Sequence, residues 1–217
     1  LEFYDDTFSL FITKKTPKDC KINLYCIDPS EHLKRTLDLV KGKIIFSATL
    51  SPSDYYIKMI GGDGLDPMLS LPSPFDKNNL CLMVAPKLSV RKKDREESYK
   101  EVSEYIKELI KGKVGNYFIY TPSYEYLESM IPYLDTGEYD LNIQSRDMTE
   151  AEKESFLSCF VDKPKRTTLG LAVIGGAFSE GIDLVGERII GVCVIGVGYP
   201  QICYERDQIR NYFNKKD

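Results

Sequence analysis

Histidine is almost absent from this sequence, and long hydrophobic runs are missing altogether. The single histidine, His32, and six scattered cysteines that lack zinc-finger spacing argue against a metal site built from this chain alone. A Ser-His-Asp hydrolase needs a histidine and a nucleophile elbow, and because the chain has no such elbow, simple esterase chemistry is also disfavoured. No apolar stretch approaches the roughly 18 residues of a membrane helix, and the amino terminus lacks a signal-peptide pattern, so we expect a soluble protein without a membrane partner.

An excess of positive charge is also missing, since the formal net charge is -4. This balance argues against a protein coated in positive potential, so any contact with nucleic acid must follow a local track. Residues 87–95 carry five cations and one anion, and Lys163, Lys165 and Arg166 form a second basic cluster. A solvated loop is the simpler interpretation of each cluster. The scattered cysteines favour free thiols and an intracellular location, either cytoplasmic or nucleoid-associated.

Apolar strands alternate with amphipathic helices along the chain, which predicts an α/β fold with a mostly parallel sheet flanked by helices. One local pattern recurs three times: an apolar strand, a capping residue, Pro-Ser and then a helix. In this pattern proline occupies the first helical position, where its missing amide costs nothing. The three turns are Asp28-Pro29-Ser30, Ser51-Pro52-Ser53 and Thr121-Pro122-Ser123, and the strands predicted before them are 22–27, 43–50 and 116–120.

Further elements follow the same alternation. We predict strands at 140–144, 169–174 and 189–195, and helices at 96–111 and 201–214. Another helix should begin at the capping box Thr149-Glu-Ala-Glu152. The passage from 61 to 79 is rich in Gly, Pro and Ser without periodicity, so it predicts a linker or a domain boundary.

The segment from Gly175 to Leu184 carries more polar chemistry than a turn between two buried strands requires. It supplies glycines that allow close backbone approach, together with one hydroxyl and two carboxylates. Ligands of parallel α/β sheets gather at the carboxyl ends of strands, where helix amino termini favour phosphate. The loop is not a Walker loop, because Ile182 and Asp183 replace the Lys-Ser/Thr pair, and the chain has no dinucleotide-binding glycine motif.

Three segments together resemble one helicase family. Motifs III, IV and V of the XPD/DinG branch of superfamily 2 helicases are similar, in the same order, to Ser47-Ala-Thr-Leu-Ser-Pro52, Tyr120-Thr-Pro-Ser123 and Gly176-Ala-Phe-Ser-Glu-Gly-Ile-Asp183. Other parts of that family's second motor lobe resemble Ile143-Gln-Ser-Arg146 and Val197-Gly-Tyr-Pro-Gln201. The resemblance covers nearly the whole chain and implies a RecA-like three-layer fold.

The resemblance implies an ATP-dependent DNA helicase with two motor lobes, nucleotide in the cleft between them and single-stranded or forked DNA across both. It implies that ATP is bound with Mg jointly with the first lobe. The coupling residues of motif III would be Ser47, Ala48, Thr49 and Ser51, and the nucleic-acid contacts would be Thr121, Ser123, Arg146 and Ser179. The nucleotide would be approached by Gly176, Gly181 and Asp183, with Glu180 and Asp183 as the catalytic residues. Tyr120 and Phe178 are candidates for base stacking, although core packing is the simpler interpretation.

Departures from the family pattern indicate a fragment. The chain lacks the Walker lysine, the Asp-Glu-x-His strand and the iron-sulfur cysteines of the first lobe, and it ends at Asp217 before the expected arginine motif. An iron-sulfur cluster would therefore belong elsewhere in the parent. We expect 1–60 to contain the end of the first motor lobe, 61–79 to be a linker, and 80–217 to form an incomplete second lobe. The isolated chain should be inactive. The alternative hypothesis is a non-catalytic module that binds single-stranded nucleic acid or phosphate.

Overall fold

The computed structural model describes residues 4–16, 19–135, 137–198 and 203–216. Contacts between residues divide the chain into two compact units, one formed by residues 1–80 and 201–217 and the other by residues 81–200. None of the helices described is both long and apolar enough to cross a membrane. In chain order the elements are β1 (Phe8–Thr16), β2 (Asp19–Cys26), α1 (Ser30–Leu37), α2 (Ser53–Met59), α3 (Arg95–Lys111), β3 (Asn116–Thr121), α4 (Tyr124–Leu134), β4 (Asp140–Ile143), α5 (Glu150–Ser158), β5 (Thr168–Val173), β6 (Gly191–Val194) and α6 (Tyr204–Lys216).

The second unit is built on a four-stranded parallel sheet in the order β4-β5-β3-β6. Strand β3 is central, and Asn116 pairs with Thr168 of β5 while Tyr117 pairs with Gly191 of β6. The predicted parallel α/β sheet is therefore confirmed for these four strands. All six residues of β5 are buried, as expected for a parallel strand that is covered on both faces.

The two faces of this sheet carry separate apolar layers. On one face, side chains of α3 and α4 pack against alternate residues of the central strands, and buried examples are Ile106, Met130 and Ile119. On the other face, an aromatic cluster joins Phe118 of β3 to α5 and its flank. Because successive side chains of a strand point to opposite faces, neighbouring residues 118 and 119 serve different layers. The result is the predicted three-layer arrangement.

The first unit contains a β-hairpin where the sequence predicts a strand of a parallel sheet. Strands β1 and β2 pair antiparallel, and Leu10 faces Leu24 while Ile12 faces Ile22. The predicted strand at 22–27 is present as β2, but its assignment to a parallel sheet was wrong. Only two residues separate β1 from β2 in the chain, whereas a parallel connection needs a crossover of roughly a dozen or more.

The strand predicted at 43–50 is absent from the structure. These residues adopt no regular structure, and the side chains of Ile44 and Phe46 are 89% and 88% exposed. A strand satisfies its backbone groups only through a neighbour, and no described strand pairs with this segment. The prediction was wrong for this chain because an apolar pattern alone does not provide the pairing partner.

The three Pro-Ser turns use their polar side chains differently. At α4, the Oγ of Ser123 accepts a hydrogen bond from the backbone N of Tyr126 at 3.2 Å and caps the helix, so the capping predicted for Thr121 was wrong and Pro122 lies before the cap. No side chain caps the first turn of α2, so the capping predicted for Ser51 was wrong. The capping box of α5 is confirmed, since Thr149 and Glu152 exchange the two expected hydrogen bonds.

The first of these turns holds a buried carboxylate. Asp28 is 4% exposed, and its oxygens accept hydrogen bonds from the Ser30 hydroxyl at 2.6 Å, the Lys216 ammonium at 2.8 Å and the Tyr212 hydroxyl at 3.1 Å. Burial by itself raises the pKa of this carboxyl group, but the hydrogen bonds from Lys216, Ser30 and Tyr212 outweigh burial and lower the pKa to about 2. Helix α6 is thereby attached to the start of α1 within the first unit.

Candidate functional site

Most of the predicted site residues lie at one edge of the parallel sheet. Strands β4, β5 and β3 are neighbours and run in the same direction, so their carboxyl ends meet at this edge. Thr121 ends β3 and Ser123 follows it, Arg146 follows β4, and the loop from Gly175 to Leu184 follows β5. We call this loop the acidic loop. The motif III residues, 47–51, belong to the first unit.

The acidic loop is anchored by an aromatic side chain. Phe178 is 1% exposed and stacks on Phe156 of α5 with ring centroids 4.3 Å apart. The hydroxyl of Tyr120 donates a hydrogen bond to the carbonyl of Phe178 at 2.6 Å. Both aromatic residues therefore pack in or against the core, as the simpler interpretation of the sequence predicts, and the anchor fixes the middle of the loop.

Hydrogen bonds fold the first half of the acidic loop back onto the end of β5. The carbonyl of Val173 accepts from the backbone N of Gly176 at 3.0 Å and from the hydroxyl of Ser179 at 3.1 Å. The backbone N of Ser179 donates to the carbonyl of Gly176 at 3.0 Å. Gly181 has a φ of 73°, in the left-handed region that glycine adopts at little cost. The loop is thus a defined structure, in which the Ser179 hydroxyl already has one internal partner.

The two carboxylates of the loop take no part in this network. Glu180 and Asp183 are exposed, and within the described ranges neither side chain has a hydrogen-bond or ion-pair partner. By contrast, Glu152 on the neighbouring helix α5 is engaged by its own capping box. Two unpaired carboxylates on an anchored loop are available to a ligand or to another domain. The catalytic role predicted for Glu180 and Asp183 requires such accessible carboxylates.

Thr121 and Ser123 lie close together, but their hydroxyls face different surroundings. The Thr121 side chain is fully buried and donates to the carbonyls of Ser123 and Ala172, both at 3.2 Å. This hydroxyl is therefore not accessible for the phosphate contact that we predict for it. The Ser123 hydroxyl is half-buried and uses an oxygen lone pair for the cap, which leaves its proton available as a donor.

Arg146 stands on the surface beside Tyr124, the first residue of α4. Its guanidinium lies 4.6 Å above the ring centroid of Tyr124, and it also pairs with Glu128 at 3.4 Å. Such stacking holds a guanidinium in place while leaving donors free for an anion. A shallow cavity of about 210 Å³ lies beside this pair, lined by Tyr124, Gln144, Ser145, Asp147, Met148, Lys153 and Ala177.

One arginine from each basic cluster makes a contact within the second unit. Arg166 pairs with Asp140 at 3.1 Å, and Arg95 lies 5.6 Å above the ring of Tyr126. These two arginines contact the second unit itself, and Arg95 is the first residue of α3, so the solvated-loop interpretation does not describe it. Across the described ranges no group of three or more His, Cys, Asp or Glu residues is placed to hold a metal ion. All six cysteines are free thiols.

Sequence reasoning missed two residues of this edge. Gln144 is 3% exposed and bonds to both Tyr124 and the backbone of Val173, although the sequence marked it only as the end of a predicted strand and as part of the family-like segment Ile143-Gln-Ser-Arg146, without a role. Tyr124 reads in the sequence as an ordinary apolar position of α4. The Val197-Gln201 segment that resembles the family is described only to residue 198, and the remainder lies outside the described residues.

A parallel α/β sheet with helices on both faces and a polar glycine loop at its carboxyl edge defines a RecA-like lobe. The sequence model for the helicase C-terminal domain matches residues 106–217, and the chain belongs to that family. This family match includes α6 as well as most of the second unit.

Similar proteins include named helicases of much greater length. An ATP-dependent DNA helicase, CHL1 of Yarrowia lipolytica, is 24% identical over 84% of this chain and 25% of its own length. A probable ATP-dependent helicase of Methanocaldococcus jannaschii is 26% identical over 79% of this chain and 26% of its own. The chain thus spans about a quarter of these relatives. A solved structure of apo XPD has the same fold, with a TM-score of 0.64 and 18% identity over 96% of this chain and 42% of that one.

Proposed function

We propose that this chain is part of an ATP-dependent DNA helicase of the XPD/DinG type, which couples ATP hydrolysis to translocation on single-stranded DNA and unwinds duplexes during repair or replication. The observation that carries the proposal is the anchored acidic loop, whose two carboxylates are exposed and unpaired within the described residues. Membership in the helicase C-terminal family and the names of its relatives support the same activity. A DNA substrate is consistent with an intracellular location, cytoplasmic or nucleoid-associated.

The proposed domain organisation has residues 1–60 at the end of the first motor lobe, 61–79 as a linker and 80–217 as a second lobe without its arginine motif. The apolar surface of the first unit supports it. One face of the hairpin exposes Leu10, Ile12, Ile22 and Leu24, and residues 43–50 expose further large apolar side chains. Exposed apolar surface of this extent marks an interaction site. We assign it to the rest of the first motor lobe of the same parent.

ATP with Mg is the proposed cofactor, and both lobes of the parent would hold it. Gly176, Gly181 and Asp183 would border the nucleotide, and Glu180 and Asp183 would act in its hydrolysis. The residues fit this role chemically, because unpaired carboxylate oxygens suit Mg and an exposed glycine turn allows close approach of a phosphate. ATP supplies the free energy of movement, and this chain supplies one wall of its site.

DNA would contact the same lobe through Ser123, Arg146 and Ser179. The stacked Arg146 offers donors to a phosphate, and Ser123 stands at the amino terminus of α4, where the helix dipole favours an anion. Thr121 would act indirectly, by fixing the turn through its buried hydrogen bonds. Motif III, residues 47–51, would couple the state of the bound nucleotide to DNA binding.

The test is the ATPase activity of the intact parent with and without single-stranded DNA. We expect DNA to stimulate turnover, and Glu180→Gln or Asp183→Asn to lower the stimulated turnover by about 100-fold or more, the scale of losing a group that stabilises developing charge. Because both side chains are exposed, the thermal midpoint should not change. Glu154→Gln on α5 is the matched control, since it removes an exposed carboxylate of the same unit that has no partner among the described residues.

A parent without DNA-stimulated ATPase would overturn the proposed activity. Normal turnover in both carboxylate variants would overturn the assignment of these two residues while leaving the activity standing. The isolated chain is expected to hydrolyse no ATP, because it contains only part of the proposed site.

A further inference from the structure

Gln144 is a buried polar residue at the junction of three elements of the site. It follows the last residue of β4, and its backbone N donates to the carbonyl of Leu171 in β5 at 2.9 Å. Its side chain is turned inward and is 3% exposed. A buried amide must satisfy its donor and acceptor groups locally, so its partners define its role.

Two hydrogen bonds orient the Gln144 side chain. The Oε1 atom accepts from the backbone N of Val173 at 2.9 Å, and Nε2 donates to the hydroxyl of Tyr124 at 2.9 Å. The backbone N of Val173 can only donate, so the carbonyl end of the amide must face it and the NH₂ end must face the tyrosine. The donor group on Val173 therefore fixes which end of the Gln144 amide faces it.

Both partners lead to functional parts of the edge. The peptide carbonyl of Val173 accepts from Gly176 and Ser179, so Gln144 and the acidic loop are fixed on the same residue. The ring of Tyr124 lies beneath the guanidinium of Arg146. The side chain of Gln144 thus links two parts of the site. One is the acidic loop, which carries the carboxylates proposed to act on the nucleotide, and the other is Arg146, which is proposed to contact a DNA phosphate.

The glycine at 176 is matched to this contact. A Cβ atom built on Gly176 would lie 2.9 Å from Nε2 of Gln144 and 2.9 Å from the carbonyl oxygen of Val173. Any side chain at 176 would push the amide out of its position. The close approach explains why the turn carries glycine here, independently of any ligand.

We propose that Gln144 is a positioning residue that holds the acidic loop and the Tyr124–Arg146 pair in one fixed arrangement, so that DNA binding and ATP turnover depend on each other. The inference rests on the proposed function for its kinetic consequence. Its structural part, the restraint of the loop by Gln144, can be measured separately.

The kinetic test uses the intact parent, with ATPase measured against the concentration of a single-stranded oligothymidylate at saturating ATP. Gln144→Leu keeps the volume and removes both hydrogen bonds, and we expect the DNA concentration for half-maximal turnover to rise about tenfold, the size of losing one or two buried hydrogen bonds. Gln144→Glu should restore this value to within about threefold, because a carboxyl group can accept from Val173 and bond with the Tyr124 hydroxyl. Gln208→Leu, the same change on α6, is the control.

A coupling test distinguishes positioning from simple core packing. Tyr124→Phe leaves the ring beneath Arg146 and removes the hydroxyl, which bonds to Gln144 at 2.9 Å and to the carbonyl of Ser145 at 3.4 Å. Because the two changes share the shorter of these hydrogen bonds, the effect of the double variant should be well below the sum of the two single effects. Additive effects, or a half-maximal DNA concentration unchanged by Gln144→Leu, would overturn the proposal.

Hydrogen exchange gives a readout that does not depend on activity. Gln144→Leu should speed exchange of amides 173–184 about tenfold or more while those of α3 stay protected, and Gln144→Glu should not. Unchanged exchange in the loop overturns the inference. If the wild-type parent shows no DNA-stimulated ATPase, the proposed function fails, and this exchange result still decides whether Gln144 restrains the loop. If Gln144→Leu does not fold, Tyr124→Phe replaces it in both the ATPase and the hydrogen-exchange measurements. We expect its changes in half-maximal DNA concentration and in exchange rate to be smaller and in the same direction.

Discussion

Residues 116–121 and 43–50 are both apolar segments that lead into a Pro-Ser turn, yet only the first forms a strand. Residues 116–121 form the central strand β3, paired on both sides, and Phe118 and Ile119 are fully buried. Residues 43–50 are unpaired, and Ile44 and Phe46 are almost fully exposed. The composition of the two segments is similar, so the presence of neighbouring strands makes the difference. The second unit supplies neighbours for its own strand, and we propose that residues 43–50 find theirs in the parent.

The largest expected difference is between the truncation of Phe118 in β3 and the truncation of Phe46 in the segment 43–50. In the isolated chain, Phe118→Ala should lower the free energy of unfolding of the second unit by about 3–5 kcal/mol, because it leaves a cavity among packed rings. Phe46→Ala should change stability by no more than about 0.5 kcal/mol, since the ring is already in water. Urea unfolding measures both. A similar cost for the two variants would contradict the contrast between the units.

The next effect concerns Asp28, whose buried charge is held by three side-chain hydrogen bonds in the first unit. The lowered pKa of Asp28 means that its ionised form stabilises the folded state above the unfolded pKa of about 3.9, and that this contribution disappears as the pH falls toward about 2. At pH 7, Asp28→Asn should cost about 2 kcal/mol, reduced from the full shift because Lys216 is partly exposed.

The pH dependence provides the check on Asp28. The difference in unfolding free energy between wild type and Asp28→Asn should shrink as the pH is lowered from about 4 toward about 2. Asp6→Asn, at an exposed position of the same unit without a described partner, should show no such trend. A difference that stays constant down to pH 2 would mean that the hydrogen bonds to Asp28 do not depend on its charge.

The smallest effect compares two turns with the same local sequence pattern. Ser123→Ala removes the cap of α4 and should cost about 1 kcal/mol. Ser53→Ala, at the corresponding position of the Pro-Ser turn that opens α2, should cost no more than a few tenths of a kcal/mol, because no side chain caps that helix. Thermal unfolding of the isolated chain measures both. Equal costs would show that the pattern, and not the observed cap, determines helix initiation.

Local sequence signals predicted the second unit well. The strands at 116–121 and 168–173 and the capping box at Thr149 were recognisable because periodicity and capping act over a few residues. The glycine loop after β5 was identified by its excess of polar groups. The sequence could not predict that Thr121 is buried or that Gln144 joins Tyr124 to Val173, because both depend on contacts between residues 20 to 51 positions apart.

The first unit was predicted less well for a related reason. The hairpin β1–β2 and the unpaired residues 43–50 depend on which strands are near, and an apolar run carries no information about its partner. The attachment of Lys216 to Asp28 spans 188 positions and left no signal in the sequence. Local patterns therefore predicted the parallel sheet of the second unit but did not reveal which segments of the first unit pair and which do not.

We propose that the second unit supplies its own strand pairing, whereas residues 43–50 of the first unit pair with the rest of the parent. Hydrogen exchange of the isolated chain and of the intact parent tests it directly. We expect amides 116–121 and 168–173 to be protected in both, and amides 43–50 to exchange at nearly unprotected rates in the isolated chain but about 1,000-fold or more slowly in the parent. Amides 43–50 that remain unprotected in the parent would contradict the claim.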